Sequence, residues 1–527
     1  MSDDFDEFDD GQWGTSNIDL VAEPVRYPRS PLLALLALAL LPAVGLFVLH
    51  RWADGEADAY EDSRGTQGLL DADLDGRLAG ADEEPTDDDL EDIDGFDVLD
   101  PVLATSLFDF RRAPRTVGTV ASAGQLEADL APLFGFIGPS SCAAVAVDGV
   151  TVAVANPDVP VIPASNQKLF VATAALQILG PDFRFATSVA VPPAQEGVVD
   201  GDIYLIGGGD PLLTSDDYPI TDDGQPAVNT TSFDVLADAL VDAGITRIRG
   251  TVIGDGSRYD DEWVIDEWAD DVPFIEAGPY DALLANDARV LGRSGRQDDP
   301  NEGAAREFAR LLNDRGIRVD NGWGSGIAST LVPVVATVES EPLSAIVGEM
   351  LLTSDDNTAE MLLKEIGFAA SGQGTRAAGL EAMTRTIGEL GVDLTGVTFR
   401  DGSGLSNQNR ATCSALLDIV HLGRGTPVEA GLPVAAETGT LRDEFTATVM
   451  AGRLRGKTGT LTGVKALAGV VDPLPGSEDT TGTIEFAVVL NVEGAGDENV
   501  YRTIWSAFGE RVATYPAGPG TDVLGPR

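Results

Sequence analysis

Four lysines stand against thirty arginines in this chain of 527 residues. Arginine keeps its proton at any working pH, so a position that retains lysine is a candidate for work requiring a neutral amine. Lys168 closes Ser165-Asn166-Gln167-Lys168, the single S-x-x-K in the sequence. Pro163-Ala164-Ser165 reads as a helix start, and residues three apart on a helix share a face, which puts the amine one turn from the hydroxyl. A serine hydroxyl is a poor nucleophile until a base takes its proton. With only His50 and His421 in the chain, a histidine triad would have to use His421, and a multi-histidine zinc site is not available. A desolvated lysine is the remaining base, and a second cation nearby would favour its neutral form. The helix N-terminus also offers N–H groups to a developing oxyanion. A surface serine and lysine at this spacing are common, but lysine scarcity and the helix start favour the chemical reading. That chemistry is attack on a carbonyl through an acyl-serine.

Two further stretches carry suitable groups. Lys457-Thr458-Gly459-Thr460 falls on a late strand, where lysine and threonine can bind a carboxylate. Gly459 there would let a substrate backbone lie against the strand edge, and the N–H of Thr460 can serve as a second oxyanion donor. Ser354-Asp355-Asp356 precedes a helix expected over 357–367, where a helix N-cap is the plain structural alternative.

The elements around these stretches suggest one architecture. Residues 142–155 alternate about Asp148-Gly149 as a β-hairpin, and a helix is expected from Ser165 to Leu179, ended by Gly180-Pro181. Strand and helix signals alternate through 195–335, as at 202–206, 233–243 and 304–315, and read as one or more inserted domains. Helical signal returns at 341–369 and 376–390. Three strand-like runs follow at 452–459, 464–471 and 483–492, then an amphipathic helix at 498–513. The reading is α/β in the α+β sense: an antiparallel sheet covered by helices, with smaller domains inserted. The catalytic domain is expected to comprise 101–194 plus 336–515, followed by a tail at 516–527.

The net charge of −52 is concentrated toward the N-terminus, with eight acids in residues 1–30 and nineteen in 51–100. Such a surface repels phosphate backbones and excludes nucleic-acid binding. Residues 1–30 read as an acidic cytoplasmic tail and 50–100 as an acidic linker. Between them, the uncharged run 31–49 is just long enough to cross a membrane as a helix. Asp71 to Asp82 copies part of a calcium-loop pattern, but an Asp-rich segment produces this by chance, and no metal or other cofactor is expected. Cys142 and Cys413 could form one bridge outside the cytoplasm, but nothing in their spacing brings them together, and two buried unpaired residues is the favoured reading.

S-x-x-K, then a serine motif, then K-T-G in that order resembles the signature of penicillin-binding proteins and serine β-lactamases. The 189 residues from Ser165 to Ser354 resemble the class C penicillin-binding proteins of low molecular weight, the D-alanyl-D-alanine carboxypeptidase/endopeptidase family, which carry domains inserted there. Further stretches are similar to that family, among them Gly207 to Pro211, Gly254 to Arg258, Ala359-Glu360-Met361-Leu362 and Asp401-Gly402-Ser403-Gly404-Leu405-Ser406. The resemblance covers about 100–515 and implies a penicillin-binding-protein/β-lactamase-like transpeptidase fold. It makes Ser165 the acylated nucleophile and Lys168 its base. Ser354 becomes the proton shuttle to the leaving group, with Lys457 and Thr458 on the terminal carboxylate of D-Ala-D-Ala. The N–H groups of Ser165 and Thr460 become the oxyanion hole. The implied partners are peptidoglycan stem peptides as substrate and β-lactams as acylating inhibitors. A wall substrate implies a single-pass membrane protein, anchored by 31–49, with its catalytic domain outside the cytoplasm. Asp356 stands where the family motif has asparagine, so the alternative is a catalytically impaired protein that keeps the peptide groove.

Overall fold

A computed structural model describes residues 113–218, 229–270, 272–291, 295–473 and 482–516. The tail 1–30, the apolar run 31–49, the linker 50–100 with its Asp-rich stretch, and 517–527 lie outside the described residues. Among those described, no helix is long and apolar enough to cross a membrane.

In chain order the elements that matter here begin with α1 (Ala113–Phe134), β1 (Cys142–Val147), β2 (Val150–Ala155) and α2 (Gln167–Leu179). Then come β3 (Ala186–Ala190), β4 (Ile203–Ile206), α3 (Asp234–Asp242), β5 (Val252–Asp255), α4 (Pro300–Asp314), β6 (Trp323–Ser325) and β7 (Val334–Glu339). Four helices follow: α5 (Leu343–Thr353), α6 (Asp356–Ser371), α7 (Arg376–Glu389) and α8 (Cys413–Gly423). The chain closes with β8 (Leu454–Leu461), β9 (Val464–Val471), β10 (Ile484–Asn491) and α9 (Glu498–Val512).

The late strands join the early hairpin in one antiparallel sheet, ordered β8-β9-β10-β1-β2. The hairpin turns on Asp148 and Gly149, both at positive φ, as a two-residue turn between right-twisted strands requires. Successive side chains point to opposite faces. One face carries Cys142, Ala144, Ala146, Ala466, Ala468 and Ala487, small enough for α8 and the turn that opens α2 to lie close, with α2 and α6 in the same core. The other carries Val145, Leu467, Phe486 and Val488, which bury Leu126 and Leu130 of α1 and Trp505 and Phe508 of α9. With both faces covered, β10 is apolar at nearly every position, which hides its alternation from a sequence reading.

Cys142 and Cys413 are bonded to each other, with Cα atoms 5.9 Å apart. This corrects the expectation of two unpaired thiols. Their burial is as expected, but the contact exists only because the start of α8 packs on β1, across 271 residues of sequence.

The inserted region builds a second, mixed sheet ordered β6-β5-β4-β3-β7, covered by α3 and α4 through Phe233, Leu236, Phe308 and Leu312. The borders read from sequence, 195 and 335, leave β3 and most of β7 with the catalytic domain. Hydrogen bonding assigns both strands to the second sheet. A further stretch of the insertion turns back to the first unit: Ile265, Trp268, Val272 and Tyr280 pack against Met361 of α6 and Leu405.

Candidate active site

Ser165 occupies a single 3-10 turn, Ala164–Asn166, that runs directly into α2. Ala164 there has φ 49°, a left-handed conformation that costs a residue with a Cβ about 1–2 kcal/mol. Neighbours on two sides hold it. A Cβ on Gly459 of β8 would lie 2.9 Å from the Pro163 carbonyl oxygen and 3.1 Å from the Ser165 nitrogen. A Cβ on Gly404 would lie 2.0 Å from the Ala164 carbonyl oxygen. The bare face of Gly459 therefore admits the nucleophile's own turn, whereas the sequence reading had reserved that space for substrate.

Lys168 is wholly buried one helical turn on. Its Nζ donates to Ser165 Oγ at 3.2 Å, Ser403 O at 2.7 Å and Asp356 Oδ1 at 2.5 Å. Three acceptors match the three N–H bonds of an ammonium. Burial pushes the Asp356 carboxyl above its ordinary range, while the Lys168 charge pulls the other way. The neighbouring Asn357 does not stand in for Asp356. Its Oδ1 accepts from Gly278 N at 2.7 Å and its Nδ2 donates to Asp287 Oδ1 at 2.6 Å, which ties the insertion to α6.

Within the helical stretch 341–369, the break expected before 357–367 falls at the second motif. Ser354 ends α5 in a left-handed conformation, φ 66°, and Asp355 caps α6 by accepting from Thr358 N at 2.5 Å. The N-cap alternative is thus realised by Asp355, and the kink leaves Ser354 Oγ to accept from Lys457 Nζ at 2.8 Å. Lys457 is wholly buried on the helix-facing side of β8. Burial, then the Lys168 charge, pushes its amine well below the usual lysine range, with Asp356 opposing. Thr458 and Thr460 point to the sheet's other face. The Thr458 hydroxyl donates to Thr440 Oγ1 at 2.8 Å, and Thr460 Oγ1 accepts from Lys465 Nζ at 3.0 Å.

Ser165, Ser354, Asp356, Thr458 and Thr460 open together on one cleft of ≈ 610 Å³. Its walls also include Ala269, Val272 and Glu276 from the insertion, Thr440, and Lys465 with Trp505 at one end. The sequence reading named none of these as site residues. They reach the cleft through packing between distant segments and carry no local pattern. The Ser403 carbonyl on Lys168 also reaches the site from far along the chain, although its stretch, Asp401 to Ser406, is one that resembles the family. It is held by a buried carboxylate pair: Glu360 accepts from Gly402 N and Ser403 N, and Asp401 from Gly404 N, Ser406 N and Trp268 Nε1. Burial and the Asp401 charge push Glu360 up to about 8, so this pair holds a proton near neutrality. Lys364 does different work, pinning 260–262 to α6 through Asp260 O and Glu262 O. His421 pairs with Glu485 and is not part of the cleft.

A helix-borne serine and lysine, a serine at a helix break, and a K-T-G strand at the sheet edge define the penicillin-binding class of serine acyl-transfer proteins. The chain belongs to the D-Ala-D-Ala carboxypeptidase 3 (S13) family, whose sequence profile matches residues 142–293 and 281–512. It is 29% identical over 415 residues to the D-alanyl-D-alanine carboxypeptidase of Actinomadura sp. (strain R39), covering 63% of this chain and 73% of that protein. Carboxypeptidase DacB of Mycolicibacterium smegmatis is 29% identical over 357 residues, covering 64% and 72%. The crystal structure of penicillin binding protein 4 from Haemophilus influenzae shares the fold, with a TM-score of 0.60 at 19% identity, over 73% of this chain and 98% of that one. The family and fold implied by the motifs are therefore those of the molecule, a serine-type D-Ala-D-Ala carboxypeptidase.

Proposed function

We propose that the chain removes the terminal D-alanine of peptidoglycan stem peptides through an acyl-enzyme on Ser165. The observation that carries this is the Lys168 amine 3.2 Å from Ser165 Oγ on the wall of an open cleft. Neutral Lys168 takes the Ser165 proton as Oγ adds to the carbonyl of the penultimate D-alanine. The N–H groups of Ser165 and Thr460 receive the oxyanion. Ser354 passes a proton to the departing amine of the last D-alanine and is re-protonated from Lys457, whose depressed affinity for its proton suits that exchange. Lys168 then gives up the proton taken from Ser165, which restores Lys457, and, neutral again, serves as base while water cleaves the ester and Ser165 recovers its proton. Thr458 and Thr460 on the cleft wall meet the substrate's carboxylate, with the buried Lys457 contributing its charge from behind the strand, and no cofactor enters. Intact Ser165, Lys168 and Lys457, together with the family, favour an active enzyme over an impaired groove protein. Incubation with an acyl-D-Ala-D-Ala peptide should release free D-alanine, and a fluorescent penicillin should label the tryptic peptide containing Ser165. A label on any other serine would move the nucleophile.

We propose that the catalytic unit lies outside the cytoplasm, tethered by 31–49, because a wall substrate exists only there. The Cys142–Cys413 bond supports this, since disulfides persist in oxidising compartments. Protease added to intact, wall-stripped cells should digest the catalytic unit. Full protection in cells shown to be intact would reverse the topology.

A further inference from the structure

Lys465 is the remaining lysine, and its surroundings are unusual. It sits on β9 opposite Thr460 in the strand register, half-buried at one end of the cleft. Its Nζ lies 4.1 Å from the Tyr501 ring centroid and 5.2 Å from that of Trp505, both on α9. Aromatic faces attract a cation and fix its direction. The nearest carboxylate on that side, Glu444, is already engaged by Arg502 at 3.0 Å and by the Tyr501 hydroxyl at 2.9 Å. Among the described residues no carboxylate forms an ion pair with Lys465. Burial presses its amine below the ordinary lysine range, with Glu444 and Glu498 opposing and Arg502 adding to the shift. With no carboxylate in direct contact, the half-buried ammonium keeps room for a ligand anion.

Resting on the function proposed above, we infer that Lys465 is a specificity-determining positioning residue for the substrate's free terminal carboxylate, acting through the Thr460 hydroxyl. The geometry gives the route. Lys465 donates into Thr460 Oγ1, which takes up an acceptor site on that oxygen and leaves the threonine's own O–H to donate. Thr460 lines the cleft, so that O–H is available to a carboxylate there. The Thr458 hydroxyl, by contrast, is engaged as a donor to Thr440. A charge-assisted chain from ammonium to hydroxyl to carboxylate rewards a free acid and gives nothing to a neutral ester of the same peptide.

The test compares an acyl-D-Ala-D-Ala peptide with its C-terminal methyl ester. In Lys465→Met the ratio of kcat/KM for acid over ester should fall about tenfold or more, mainly through KM. Lys465→Arg, which keeps the charge, should restore most of that ratio. Thr460→Val should lower it similarly, and adding Lys465→Met to Thr460→Val should lower it little further, because the two act in series. An unchanged ratio in Lys465→Met, or equal losses on acid and ester, would show only a structural prop and overturn the inference. Failure of the unaltered chain to turn over either substrate would instead sink the functional reading, and this one with it.

Discussion

Lys168→Arg should acylate with penicillin about 10³-fold more slowly than the parent chain, nearly as slowly as Lys168→Ala, because general-base catalysis contributes roughly 10²–10⁴. Arginine keeps the charge opposite Asp356 but offers no neutral nitrogen at working pH. The two variants separate in stability. Alanine leaves the Asp356 carboxylate beside an empty slot, whereas arginine preserves an ion pair at the risk of overfilling a site with no exposed surface. Rapid-mixing measurement of acylation, alongside urea unfolding of each variant, distinguishes a lost base from a lost fold. If a folded Lys168→Arg protein kept most of its rate, Lys168 would be acting only as a charge.

What the sequence disclosed about this site follows the range of the interactions. Ser165 and Lys168 are one helical turn apart, so their contact is local and follows from spacing plus a helix-start signal. Lys457 was singled out by residue type and strand context, and its partner Ser354 by a motif at a helix break. The Ser403 carbonyl that completes the Lys168 site is 235 residues away. It arrives there because Glu360 and Asp401 fold the 401–406 loop onto α6, which no window of sequence expresses. Thr440, Lys465 and the Ala269–Glu276 wall share that character, as does the Cys142–Cys413 bond. Gly459 shows a subtler limit. Its residue type signalled a close approach, but whether substrate or the Ser165 turn makes the approach is decided by how β8 lies on α2. The antiparallel sheet was legible because each strand is bounded by turn residues. The border of the insertion was not, since β3 and β7 differ from their neighbours only in what they pair with.

Asp356 is where this chain departs from the asparagine of the motif it resembles, and Asp356→Asn is expected to raise the acylation rate at neutral pH about tenfold or more. The carboxylate lies 2.5 Å from Lys168 Nζ, and the negative charge there favours an ammonium over the neutral base that acylation needs. Asparagine removes the negative charge and adds an N–H₂ donor toward the cleft, where an ionised aspartate can only accept. Stability supplies a second reading. Burial raises the Asp356 carboxyl above its ordinary range, so its ionised form costs the fold stability as pH rises through that raised value. Because Lys168 stays buried when its partner carboxylate is removed, urea unfolding of Asp356→Asn beside the parent separates a faster enzyme from a loosened one. Asn357 cannot mask the result, because both ends of its amide are committed to Gly278 and Asp287. Acylation by Asp356→Asn that is no faster than the parent at any pH between neutral and alkaline would show that the ion pair does not restrain Lys168.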